Sequence, residues 1–287
     1  MSRRRNIRIA VFGAAGFSLA VGMGTFAWAA PSDGAVTAAK PTVVLVNGAW
    51  SNSAGWSGVI KRLQADGYPV TAPPTGLRGL AEDSAYLASY LKTIQGPVIL
   101  AGQSYGGSVI TDAATGNTNV KALVYISAFA PDTGESAVQL ATMYPGSHIT
   151  TDPNAPVPTA LTAVPYTQPD GTSAVDLYAK ADQYHDLLLS GRLNNNTAAE
   201  LAAAQSPIAF QALGQPSTTP AWKTIPSWYL VSDDDHLIPP AAESYMATRA
   251  HSHTTEADTP HAAQITNPGL VTHLIEQAAN TTTVTTN

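Results

Sequence analysis

The chain has 287 residues, with 14 Lys and Arg against 20 Asp and Glu for a formal net charge of −6, and it has no cysteine. The length suits one large domain or two small ones with a sizeable core, and the acidic balance excludes an electrostatic footprint for nucleic acid or an anionic membrane surface. The lack of cysteine excludes disulfides, thiolate chemistry and Cys-based metal sites.

In chain order, Arg3, Arg4, Arg5 and Arg8 form a basic start, and an uncharged apolar stretch follows to about Ala30. Ala27-Trp28-Ala29 then supplies the small-x-small pattern of a signal-peptidase site, so residues 1–29 are expected to be a removed signal peptide rather than a membrane anchor. Its removal would take away four arginines and no acid, leaving a more acidic protein with no stable membrane association. The expected localisation is secreted or periplasmic.

Thr42-Val43-Val44-Leu45-Val46 is a continuous apolar run, as expected of a strand covered on both faces, and Asn47-Gly48-Ala49-Trp50 turns out of it. Residues 53–66 and 80–95 place apolar side chains at helical spacing, with a short strand at 69–72 between them. Val98-Ile99-Leu100-Ala101 then runs straight into Gly102-Gln103-Ser104-Tyr105-Gly106 and an apolar segment that reads as helix. A Gly-x-Ser-x-Gly between strand and helix is a nucleophile elbow, a sharp turn that exposes the serine hydroxyl. Further buried strands are expected at 122–126 and 228–231, another strand at 253–257, and helices at 240–250 and 268–279. The alternation specifies an α/β fold with a mostly parallel sheet of about six strands flanked by helices. Between 132 and 222 that rhythm stops. No convincing buried strand is legible there, and helices at 175–189, 197–205 and 207–213 suggest a helical cap inserted into a core made of 41–131 and 223–280. The Asn-Thr-rich residues 281–287 are expected to be a disordered tail.

A serine hydroxyl needs a base within hydrogen-bond reach, and a histidine base needs a carboxylate to fix its tautomer. Acids in the right place follow the strand at 228–231: Asp233, Asp234 and Asp235. Of the later histidines, His261 lies in a turn between the last strand and the last helix, where such a base belongs. His251, His253 and His273 fall at a helix end, on a strand and inside a helix; His236 stands too close to the acids to fold back onto them; His148 and His185 belong to the cap, as surface positions or as lining of a substrate pocket. No two histidines share a helical ligand spacing with a carboxylate, so neither a metal nor another cofactor is expected.

Val44-Leu45-Val46-Asn47-Gly48-Ala49-Trp50, Gly102-Gln103-Ser104-Tyr105-Gly106-Gly107, Asp235-His236-Leu237-Ile238-Pro239-Pro240 and Pro260-His261-Ala262 together resemble the α/β-hydrolase superfamily. The resemblance is to the branch of methyl-salicylate-type esterases, hydroxynitrile lyases and bacterial pyrethroid-type carboxylesterases, and it covers nearly everything after the signal. It implies the α/β-hydrolase fold with a cap. It selects Asp235 through Asp-x-x-Ile-Pro, with Asp132 a substitute, and it carries an oxyanion hole onto the backbone N–H groups of Ala49 and Tyr105. Asn47 stands where the family usually has histidine, which should change loop support without abolishing the hole. Ala262 stands where the lyases carry a lysine. The resemblance therefore implies a serine carboxylesterase acting on a small-molecule ester through Ser104, Asp235 and His261. A lyase, a perhydrolase or acyltransferase, and a non-catalytic binding protein are the alternatives.

Overall fold

A computed structural model describes residues 39–284; the expected signal peptide lies outside the described residues. Six strands form one sheet: β1 (Thr42–Val46), β2 (Val70–Thr71), β3 (Val98–Ser104), β4 (Val120–Ala128), β8 (Ser227–Ser232) and β9 (His253–Ala257), in the order β2-β1-β3-β4-β8-β9. Every pairing in it is parallel.

Because side chains alternate across a strand, Val44, Val46, Leu100 and Leu123 face one side of the sheet, and Val43, Leu45, Ile99 and Val124 face the other. Both sides are covered. The first packs against α2 (Leu80–Leu91), α3 (Tyr105–Ala113) and α8 (Pro240–Arg249), the second against α1 (Ser57–Ala65), the short α9 (Ala263–Thr266) and α10 (Pro268–Val284). That double cover is why these strands read as unbroken apolar runs. The chain leaves β1 for β2 on one side and returns to β3 on the other, so the winding reverses between β1 and β3. In open α/β sheets, sites form at the carboxyl ends of strands beside such a reversal.

The segment 132–222 differs from the expected helical cap. It holds α4 (Ala137–Ala141), α5 (Ala181–Leu189), α6 (Asn195–Ala203) and α7 (Phe210–Gly214), but also β5 (Leu161–Thr167), β6 (Ser173–Ala179) and β7 (Ile208–Ala209). These three strands form a separate antiparallel sheet in the order β5-β6-β7. The helix expected at 175–189 is therefore the end of β6 followed by α5. In β5 only Leu161 is buried and Pro165 interrupts the run, so no buried-strand pattern exists to be read. The local signal was Asp170-Gly171, a hairpin turn in which Gly171 takes φ +85°.

At the C-terminus α10 continues to Val284, so residues 281–284 of the expected disordered tail are helical. Among the described residues no helix is long and apolar enough to cross a membrane.

Leu123 is fully buried in β4. Leu123→Ala should cost about 2–5 kcal/mol of stability, measured by urea unfolding, because a packed interior closes a cavity only partly. A loss under about 1 kcal/mol would contradict a core centred on β3 and β4.

Candidate active site

Asn47, Ser104, Asp235 and His261 all follow or end strands at the carboxyl edge of the sheet, after β1, β3, β8 and β9 respectively. Ser104 closes β3 and caps α3 with φ 55° and ψ −127°, a conformation an L-residue holds only at a cost of about 1–3 kcal/mol. Two close approaches maintain it. A Cβ on Gly106 would lie 2.5 Å from the Val46 carbonyl oxygen, so α3 begins directly against the end of β1. A Cβ on Gly48 would lie 2.5 Å from the Cβ of Ser104, so the loop after β1 passes immediately beside the serine. That second contact brings Ala49 next to Ser104. The Ala49 N–H donates to no backbone or side-chain acceptor among the described residues. Tyr105 opens α3, and the first N–H groups of a helix have no partner inside it.

Asp235 and His261 meet directly. His261 Nδ1 lies 2.7 Å from Asp235 Oδ2, and both side chains are wholly buried. The other oxygen of Asp235 accepts from the backbone N–H groups of Leu237 and Ile238, at 2.7 and 2.8 Å. The carboxylate thus orients the imidazole while its own position is fixed by the turn. With Nδ1–H donated to Asp235, Nε2 carries the lone pair, and that buried atom has no hydrogen-bond partner. The hydrogen bond expected between Ser104 and His261 is not formed.

Of the other acids, Asp132 pairs with Lys223 and Asp234 pairs with Arg192, so neither serves His261. His236 does fold back, contrary to expectation: its Nε2 is 3.4 Å from Asp234 Oδ1. The tight turn at Asp235 permits this. Asn47 is buried; its Nδ2 donates to the Gly48 and Ser51 carbonyls, and its Oδ1 accepts from Thr75. It braces the loop that carries Ala49.

Sequence reasoning passed over three supports. Gln103 Nε2 donates to the His261 carbonyl at 3.1 Å, locking the histidine loop to the residue before the serine. Arg192, from the cap, bridges Asp234 and Asp258, and so ties the acid loop to the histidine loop. Glu243, in α8, is fully buried and accepts from the Ser232 N–H at 2.8 Å. Burial, together with the nearby Asp235 charge, pushes the Glu243 carboxyl well above the usual range. Behind the serine, the Tyr105 hydroxyl donates to Asp83 at 2.9 Å, and burial raises both of these groups. Gln103 was the only one of the three supports with a local signal, as a polar residue inside a strand buried throughout.

The cap holds the loop after β1 chiefly at Trp50, with Asn52 Nδ2 adding a bond to the Ala204 carbonyl at 2.9 Å. The Trp50 N–H donates to the Ser206 carbonyl, its indole N–H donates to the Leu177 carbonyl, and its own carbonyl accepts from the Tyr184 hydroxyl. A cavity of about 240 Å³ lies at this junction, lined by Trp50, Ser51 and Gln264 from the core and by Tyr184, Leu201 and Gln205 from the cap.

A nucleophile elbow and a buried Asp–His pair on a parallel sheet define the α/β-hydrolase class, and the family model described as "Alpha/beta hydrolase family" matches residues 43–273. The chain belongs to the α/β-hydrolase family. It is 25% identical over 263 residues to the α/β hydrolase nvfD of Aspergillus novofumigatus, a match covering 84% of this chain and 97% of that protein. Among solved structures it is similar to polyneuridine aldehyde esterase, with a TM-score of 0.69 and 17% identity over 83% of this chain and 98% of the other. It is also similar to a pyrethroid hydrolase of Sphingobium faniae, with a TM-score of 0.63 and 21% identity over 84% and 97% of the two chains.

Glu243 gives a pH prediction. With its carboxyl raised well above the usual range in the fold, it holds its proton to higher pH there than in the unfolded chain, which ionises near about pH 4.3, so it releases a proton on unfolding in that window. Its contribution therefore falls as pH rises from that point until the folded-state pKa is passed. Glu243→Gln keeps the acceptor for Ser232 without a proton to lose. Urea unfolding should show the variant gaining more than about 1 kcal/mol on the parent between pH 5 and pH 8; parallel pH profiles would contradict a protonated Glu243.

Proposed function

We propose that this chain is an exported serine carboxylesterase. The observation that carries the reading is the buried 2.7 Å Asp235–His261 pair, which leaves Nε2 unpartnered at the same carboxyl edge of the sheet as the strained Ser104. In the reaction, Ser104 Oγ attacks the ester carbonyl and its proton passes to His261 Nε2. Asp235 holds the tautomer through Nδ1–H and stabilises the imidazolium. The alkoxide of the tetrahedral intermediate is held by the N–H groups of Ala49 and Tyr105, each donor contributing about 3 kcal/mol. Collapse of the intermediate releases the alcohol, which takes the proton from His261. The acyl group stays on Ser104 until water, activated by the same base, releases the acid.

Ala262, directly after His261, has no charged group with which to hold cyanide, and its N–H is used by the Leu188 carbonyl of the cap. This favours hydrolysis over lyase chemistry. The names of the esterase and the pyrethroid hydrolase among the similar structures support an ester as substrate. A medium-sized, moderately apolar small-molecule ester is inferred from the aromatic and small residues of the cap, and not from the junction cavity, which is lined by neither Ser104 nor His261. Export follows from the basic start and the small-x-small pattern at Ala27-Trp28-Ala29.

Ser104→Ala should lower kcat for p-nitrophenyl esters by at least about a thousandfold with the melting temperature retained. A fluorophosphonate probe should label the parent and not the variant. A folded variant that keeps most of the activity would overturn the assignment. For export, the secreted protein should begin at Ala30 by intact mass; a mature N-terminus still carrying Arg3 to Arg8 would rule out cleavage there.

A further inference from the structure

Apart from the proposed catalytic groups, three side chains from distant parts of the chain converge on the cap-to-core junction. His148 sits in the loop between α4 and β5, Asp186 in α5, and His236 in the loop after β8, next to Asp235. His148 Nδ1 is 2.7 Å from one oxygen of Asp186, and His236 Nδ1 is 2.9 Å from the other. The two imidazoles lie with centroids 3.9 Å apart and planes tilted by 35°, and the backbone N–H of His148 donates to the His236 carbonyl at 2.7 Å. One nitrogen from each ring and one carboxylate oxygen all lie within 4.8 Å of one another.

We propose that His148, Asp186 and His236 form a binding site for a divalent transition metal of the zinc class, which pins the cap to the loop carrying Asp235. Two imidazole nitrogens and one carboxylate oxygen make a donor set that suits zinc, cobalt, nickel or copper, while calcium and magnesium prefer oxygen throughout. Bonds of about 2.0–2.1 Å to a tetrahedral ion separate its ligands by roughly 3.3 Å. The two imidazoles contact different oxygens of Asp186, at 2.7 and 2.9 Å, so binding an ion through one of these oxygens needs the side chains to turn as well as to open toward that spacing. The groups are free to make that movement, since His148 and Asp186 are about half exposed.

Binding exchanges hydrogen bonds for metal bonds and needs no outside reactant. Each imidazole shifts its proton from Nδ1 to Nε2, and the freed Nδ1 lone pair takes the ion. On His236 a carboxylate stands near the nitrogen that would take the shifted proton, with Nε2 3.4 Å from Asp234 Oδ1. A carboxylate on the far nitrogen of a ligating histidine is the usual outer partner that orients the ring and raises its basicity. Asp234 is in turn held by Arg192. This inventory separates the cluster from a surface Asp–His pair, which has neither a second imidazole nor an outer carboxylate. No sequence spacing could reveal it, because the ligands come from three separate elements.

The test uses the full chain, prepared without a polyhistidine tag and stripped with chelator, titrated with zinc chloride by calorimetry. One equivalent should bind. His148→Ala and His236→Ala should each weaken binding at least tenfold, and zinc at a hundredfold excess over Kd should raise the parent's melting temperature by about 5 °C but not the variants'. Cobalt should give the visible absorption of a tetrahedral nitrogen–oxygen site in the parent alone. His148 lies far in sequence from the Asp235 turn, so its variant reports on the site even if His236→Ala perturbs folding. Absence of saturable zinc binding, or a Kd unchanged in the His148 variant, would overturn the proposal.

Discussion

The close packing of the start of α3 against the end of β1 is the constraint on which the site depends. Gly106 allows the helix to begin against the Val46 carbonyl, and Gly48 lets the next loop pass beside the serine. Without these two approaches the chain could not turn from strand to helix in one residue, and Ser104 would relax from its positive φ. The local strain is held by a sheet whose strands are covered on both faces, so its cost is spread over a large core. The same geometry brings the loop that carries Ala49 alongside Ser104, although the two are distant in sequence.

Around this fixed point the other groups are held at second hand. Asp235 is held by its own turn, His261 by Asp235 and Gln103, and the acid and histidine loops by Arg192 from the cap. Each is a polar contact on a loop, and together they set the distances on which the proposed proton transfer depends. Glu243 adds an unusual element, a buried carboxyl whose pKa is pushed well above the usual range by burial and by the neighbouring Asp235. It holds the Ser232 N–H at the end of β8, just before the acid loop.

The core was legible because its physics is local. Runs such as Thr42–Val46 and Val98–Ser104 are apolar on both faces, and the Gly-x-Ser-x-Gly pattern falls where a strand gives way to a helix. Asp235 needed a family resemblance, since Asp233, Asp234 and Asp235 are equivalent by composition and only the fold decides which meets His261. The cap sheet was missed because β5 is mostly exposed and interrupted by Pro165, which leaves the Asp170-Gly171 turn as the sole local sign. Glu243 lies in a helix segment, Pro-Ala-Ala-Glu-Ser, that reads as surface; the β8 end it supports is invisible from its neighbours. His148, Asp186 and His236 escaped for the same reason, as each looks solvated until three elements are folded together.

Trp50 sits directly after Ala49 and spends its N–H, its indole and its carbonyl on three separate cap groups. In the proposed reaction the cap selects the substrate and the loop stabilises the charge that develops on it, so selectivity and rate share a mechanical joint. Exchanging the cap to admit a new ester would then also retune the barrier for the old one. For this scaffold, grafting loops from a relative is not a modular operation, and a transplanted cap must bring a matching partner for Trp50 to preserve turnover.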